Sequence, residues 1–197
     1  RKFWKDDFSV DSSSQYTGSI ADVTGWGSGT INIPHGKRIS KSEPSLNAVE
    51  YTVAFGTDHD GSNNQFIRLF FEETYGFAFM FYRLSTHECM IGFHYYPTST
   101  NYSSRVSVGV IPSNEFHTLK VVIGSSGTFY GYFDGVLKVT TSRPYMGETE
   151  KVMLYNLRSG LKVSSFSVLP SESYSDDFTT DTTERYQAVT GTVAYDD

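Results

Sequence analysis

Apolar residues along this chain recur at every second position far more often than at the three- and four-residue steps of a helix. No window of helical length carries an apolar stripe free of Gly, Pro or β-branched clusters, so strands must carry the fold. The alternation predicts strands at Gly29–Pro34, Ala48–Phe55, Gln65–Glu72, Phe77–Leu84, Met90–Tyr96, Arg105–Val110, Phe116–Ile123, Thr128–Phe133, Val136–Thr140, Val152–Leu157 and Leu161–Leu169. Between them fall turn clusters such as Asp60-Gly61-Ser62-Asn63, Gly124-Ser125-Ser126-Gly127 and Asp134-Gly135, at the spacing of an all-β sandwich or barrel.

The stretch from Phe116 to Thr140 is the most telling. It reads as three antiparallel strands, with Leu119, Val121 and Ile123 facing inward, His117 in register with them, and Phe129 and Phe133 on the same core face. Asp134-Gly135 is a strong signal for a two-residue hairpin, because a primed turn needs positive φ and Gly accepts it.

The order "FHTLKVVI", "GTFYGYFDGVLKV" and a last strand "LKVSSFSVLP", opened far upstream by "DDFS", resembles the concanavalin A-like lectin/glucanase superfamily, in particular its laminin G-like modules. The resemblance runs over residues 6–170 and implies a two-sheet antiparallel β-sandwich, a concanavalin A-like jelly roll. One fold hosts many functions, so the resemblance speaks to architecture first.

A repeat organises the rest of the chain. Asp6-Asp7-Phe8, Asp11 and Tyr16 return 170 residues later as Asp176-Asp177-Phe178, Asp181 and Tyr186, with Ser/Thr exchanges between them. A period near one domain length means tandem modules. The expected organisation is residues 1–5 as the end of an upstream linker, 6–170 as the sandwich, 171–175 as a linker, and 176–197 as the start of a second module or an exchanged strand segment. Asp177, Phe178 and Tyr186 are then the candidates for inter-subunit or inter-module contact.

Of 197 residues 16% are aromatic, nearly all Tyr and Phe, which suits pleated sheets. The net charge of −6 and the absence of any basic run argue against nucleic acid as a partner. No apolar run approaches the roughly 18 residues of a membrane span, so no membrane insertion is expected. Cys89 is the single cysteine and reads as a small buried apolar residue.

Laminarinase-like members of the resembled superfamily carry Glu, Asp and Glu at near-alternate positions on one strand, a spacing that brings two carboxylates to the roughly 5–5.5 Å of a retaining mechanism. Here Glu72 and Glu73 are adjacent, Glu50 stands alone, and Glu148 and Glu150 follow Pro144 in a turn-like segment, so no catalytic residue is assigned. Calcium is a candidate cofactor at Asp58, Asp60 and Asn63, whose oxygens alternate in a Gly-containing loop that also reads as an ordinary turn. A second candidate is Asp6 with Asp7, since calcium in related sandwiches sits where the first and last strands meet.

Parity suggests a ligand face. If Arg68, Arg83 and His94 point away from the core, period 2 places Phe79 with Phe77 and Phe81 beside Arg83, and Tyr96 beside His94, an aromatic and donor-rich surface suited to glycan. The same Phe stripe also reads as core. His35, His59, His87 and His117 show no partner pattern.

The expected function is a non-catalytic extracellular, cell-surface or virion-surface module in a tandem array, binding carbohydrate or mediating adhesion. The alternatives are a structural module of an appendage, surface layer, filament or viral tail fibre that associates head to tail with neighbouring protein subunits, and a glycan-active enzyme or its accessory domain.

Overall fold

The computed structural model describes residues 3–42, 49–57, 64–70, 77–84, 86–95, 102–124, 128–142, 151–156 and 160–170. The candidates Asp58, Asp60, Asn63, Tyr96, Asp177, Phe178 and Tyr186 lie outside these residues.

Among the described residues fourteen strands follow in chain order: β1 Trp4–Asp6, β2 Thr17–Gly18, β3 Ile31–Ile33, β4 Arg38–Ser42, β5 Val49–Thr57, β6 Asn64–Phe70, β7 Phe77–Arg83, β8 Cys89–Tyr95, β9 Tyr102–Gly109, β10 Phe116–Ile123, β11 Thr128–Phe133, β12 Val136–Ser142, β13 Lys151–Tyr155 and β14 Leu161–Pro170. They form two antiparallel sheets. The first runs β1-β14-β5-β10-β11-β12, with β3 also on β14, and the second runs β2-β4-β13-β6-β7-β8-β9. This is the expected two-sheet sandwich.

Local sequence explains the key registers. Leu119 pairs with Phe133, Val121 with Gly131 and Ile123 with Phe129, so the inward positions of β10 and β11 share a face. Asp134 and Gly135 both have positive φ, 48° and 77°, which makes the connection to β12 a type I′ turn. In β14 a bulge between Val163 and Ser165 inserts one residue, so Leu161 and Val163 before it and Phe166 and Val168 after it all face the core.

β14 also closes the first sheet. One edge pairs with β5 along its whole length, and the other is shared by β3 at Leu161–Val163 and β1 at Phe166–Val168. The first and last strands of the module therefore lie side by side.

Aromatic rings fill the space between the sheets. Phe55 and Phe133 of the first sheet meet Phe81 of the second at 5.0 and 6.0 Å, and Phe129 meets Phe93 at 6.0 Å. Each such ring fully buried contributes about 1.5–3 kcal/mol against leaving it in water.

Candidate functional site

The second sheet has two buried faces. Along β7, Phe79 and Phe81 belong to the inter-sheet core, while Ala78, Met80 and Tyr82 point the other way and are also buried, in a separate apolar cluster with Leu84 and Met90. Phe79 is therefore a core residue, and its assignment to a ligand face is corrected: its ring packs against Phe93 at 4.8 Å, inside the sandwich.

Arg83 and His94 do not meet either. Arg83 has the parity of Phe79 and Phe81 and pairs with Cys89 at the end of β7, on the core side and 9% exposed. His94 pairs with Ala78 on the outer side but is 4% exposed, so of the expected set Arg68, Arg83 and His94 neither Arg83 nor His94 lies on an exposed face.

Strand register across the outer face draws one row. Arg38 pairs with Tyr155, Tyr155 with Arg68, Arg68 with Met80, Met80 with Gly92, and Gly92 with Arg105. Ile39, Leu154 and Ile91 point into the core, which turns Arg38, Tyr155 and Gly92 outward. Arg38 and Arg105 are exposed at the two ends and Tyr155 is half-buried; the side chain of Arg68 lies outside the described residues. Five strand spacings separate the ends, about 24 Å. The adjacent row runs Ser40, Met153, Phe70, Ala78 and His94 to Tyr102.

Not one Asp or Glu occurs in the seven strands of this sheet, which carry Arg38, Lys41, Arg68, Arg83, Arg105 and Lys151. In a chain of net charge −6 this is a local reversal of sign. The row was readable only in part from sequence, because Arg38 and Tyr155 sit on strands far apart in the chain and join Arg68 only through the strand order.

At the sandwich mouth the opening residues 3–16 form a strap with Asp6 at its centre. Asp6 Oδ1 accepts the Phe8 N–H at 2.9 Å, and Oδ2 accepts the hydroxyls of Ser12 at 2.6 Å and Tyr16 at 2.9 Å. Phe8, at φ 56°, is fully buried, and the Gly29 N–H donates to its carbonyl at 2.8 Å. Phe8, Tyr16 and Trp26 pack together at 5.5–6.2 Å, with Trp4 edge-on to Phe166 at 4.9 Å.

Lys41 lies over the Trp4 ring at 4.4 Å and donates to Gln15 Oε1 at 2.7 Å. Burial lowers the Lys41 pKa while the Asp6 charge opposes that shift. Burial, with Asp6 beside it, pushes the Tyr16 phenol far up, so Tyr16 stays a donor.

The candidate calcium pair Asp6 and Asp7 is thus split between two tasks. Asp6 serves three internal donors, and Asp7 Oδ1 accepts the Ser9 N–H and hydroxyl at the surface. Asp7 and Asp11 line a shallow cavity of about 320 Å³ with Trp4, Lys5 and Lys41. Among the described residues no three His, Cys, Asp or Glu side chains come together as a metal site.

His117 has partners that its sequence context did not reveal. Its Nδ1 is 2.7 Å from Asp134 Oδ2, and its ring stacks on Phe133 at 5.1 Å. Asp134 Oδ1 accepts the Thr118 N–H at 2.8 Å, so the carboxylate staples the hairpin turn to β10. Glu115 is 3.7 Å from Nε2, too far for a hydrogen bond. The Leu119–Phe133 register, which follows from folding the chain back at the Gly124-Ser125-Ser126-Gly127 turn cluster, was the signal that could have joined the pair.

No protein-family model matches the chain, and no curated protein is similar to it. Solved structures are. A laminarinase from Flavobacterium sp. UMI-01 matches 84% of this chain and 98% of its own, with TM-score 0.63 and 7% identity. The carbohydrate recognition domain of Emp46p, in its metal-free form, matches 80% of this chain and 89% of its own, with TM-score 0.61 and 12% identity. The binding domain of botulinum neurotoxin serotype D matches 80% of this chain with TM-score 0.53 and 10% identity, and the chain spans 43% of that domain. Identities this low speak to architecture, and what they establish with the two-sheet topology is that this chain is a concanavalin A-like jelly-roll β-sandwich.

Proposed function

We propose that the chain is a non-catalytic carbohydrate-binding module of an extracellular or surface protein, and that glycan is held at the exposed ends of the outer face of the second sheet, by Arg38 with Tyr155 and by Arg105, beyond the buried cluster around Met80. The observation that carries this reading is exposed Arg38 paired with half-buried Tyr155 at one end of the row and exposed Arg105 at the other, on a sheet whose strands hold no carboxylate. Guanidinium groups donate paired hydrogen bonds to carboxylates and hydroxyls, and a tyrosine ring offers its face to the C–H side of a sugar. That combination favours glycans bearing acidic groups. The similarity in fold to a carbohydrate recognition domain supports the same reading.

A glucanase-like activity has weaker support despite the laminarinase likeness. A retaining mechanism needs two carboxyl groups roughly 5–5.5 Å apart, and the strands of this sheet supply none.

Glycan-array screening of the whole chain tests the proposal. Binding to acidic glycans is expected, weakened several-fold by Arg38→Ala or Arg105→Ala and unchanged by Lys138→Ala on the first sheet. A blank array with neutral and acidic glycans alike would overturn it. The repeat at residues 176–186 favours a second reading, a structural module in a tandem array that associates with neighbouring subunits. Concentration-dependent sedimentation of a chain that binds no glycan would select that reading.

A further inference from the structure

The cavity beside the strap is lined by charges of both signs that leave each other unpaired. Its volume of about 320 Å³ is at the small end for a ligand pocket, and its walls carry Trp4, Lys5, Asp7, Val10, Asp11 and Lys41. Among the described residues no ion pair joins Lys5 or Lys41 to Asp7 or Asp11. Each of these two carboxylates has one oxygen fixed and one open. Asp7 Oδ1 accepts the Ser9 N–H at 3.0 Å and its hydroxyl at 2.6 Å, and Asp11 Oδ1 accepts the Ser13 N–H at 3.0 Å, while neither Oδ2 has a partner among the described residues. The serine donors hold both carboxyls below their ordinary range, so both are ionised near neutral pH. Asp6 also stands on the wall, but its two oxygens are engaged by Phe8, Ser12 and Tyr16.

The opposite pole is built of donors. Lys41 Nζ is held over the Trp4 and Tyr16 rings at 4.4 and 5.0 Å and gives one hydrogen to Gln15 Oε1, which leaves its other hydrogens for a ligand. Trp4 adds an independent observation: its side chain is 5% exposed on the cavity wall, and its Nε1 is buried with no hydrogen-bond partner. Buried donors are nearly always paired, because leaving one without an acceptor costs stability. Val10, 74% exposed on the same wall, offers an apolar contact beside the charged groups.

Charge selects the class of ligand. A simple anion is repelled by the two aspartates and a simple cation by the two lysines, whereas a molecule with an ammonium at one end and a carboxylate at the other pairs with both sets through charge-assisted bonds. We propose that this cavity binds a small zwitterion, its carboxylate on Lys41 and the Trp4 indole and its ammonium on Asp7 and Asp11. The site lies apart from Arg38, Tyr155 and Arg105 and does not depend on glycan being bound there.

NMR titration of the full chain tests this. The probes are glycine, β-alanine, γ-aminobutyrate and ε-aminocaproate, which carry the same two charges at increasing separation, with butylamine, butyrate and glucose as comparisons. One or more of the zwitterions should shift the Trp4 indole N–H and the Ser9 and Ser12 amides saturably, and butylamine and butyrate should each bind roughly ten-fold more weakly than the best zwitterion, since each forgoes one set of charged bonds. Lys41→Met and Trp4→Phe, which keeps a ring under Lys41, should weaken that probe several-fold, and Lys138→Ala should leave it unchanged. Asp11→Asn keeps the acceptor for Ser13 at an exposed position, so it removes the charge from a folded chain and should weaken the probe equally. No saturable shift with any zwitterion, butylamine or butyrate binding as tightly as the best of them, glucose shifting the same resonances as strongly, or Asp11→Asn without effect would each overturn the proposal.

Discussion

The ring of Phe79 lies where a side chain on Gly131 would have to go: a Cβ at position 131 would sit 2.6 Å from Phe79 Cε2 and 2.7 Å from Val139 Cγ2. The backbone at Gly131 needs no positive φ, so the demand for Gly is steric. Gly131→Ala should cost about 1–3 kcal/mol through overpacking, more than the roughly 0.4–1 kcal/mol gained from a stiffer unfolded chain. Denaturant unfolding checks it, and the penalty should shrink when Phe79→Leu is added.

Asp134 is expected to matter more than an exposed turn residue usually does. Asp134→Ala loses the bonds to the Thr118 N–H and to His117 together, each worth about 0.5–1.5 kcal/mol. Asp134→Asn keeps an acceptor for Thr118 and tolerates the left-handed φ, so its loss should be the smaller. Urea midpoints of the two variants give the comparison, and equal losses would argue that His117 carries the effect.

Cys89 should be silent toward thiol reagents while the chain is folded. It is buried in the inter-sheet core, and burial pushes the thiol up, away from the reactive thiolate. Labelling by a chromogenic disulfide should proceed at the rate of unfolding in buffer and at once in denaturant.

The strap should respond to acid through Asp7 and Asp11. The Ser9 and Ser13 donors hold these carboxyls below their ordinary range. A depressed carboxyl stabilises the fold above its unfolded value and loses that contribution as pH falls through the folded value. Thermal midpoints should therefore drop from about pH 4 downward. Ser9→Ala with Ser13→Ala should flatten that drop, and NMR titration should show both carboxyls moving back up.

Much of the sandwich was legible because its strands alternate. Phe116–Ile123 and Thr128–Phe133 have the predicted bounds. The sequence reading missed β1, β2 and β4, since Trp4–Asp6 and Thr17–Gly18 are too short to show a period and Arg-Ile-Ser-Lys-Ser carries one apolar residue. On β7 both faces are apolar, so period 2 could not tell the core side of Phe79 from the outer side of Met80. The strap hub was invisible for another reason: Asp6 finds Ser12 and Tyr16 through loop backbone, which has no periodicity.

The side-by-side placement of β1 and β14 also sets how the module answers tension. Trp4 opens β1 and Val168 lies two residues before the end of β14, and the two face each other at one end of the same antiparallel ladder. A pull between the two ends therefore loads the Trp4–Val168 pair first and opens the ladder rung by rung, as a zipper, in place of shearing all its bonds at once. Strung in a row, modules built this way would give slack early under load, each releasing its strap, and the Trp4 and Phe8 rings with it, before the two sheets part.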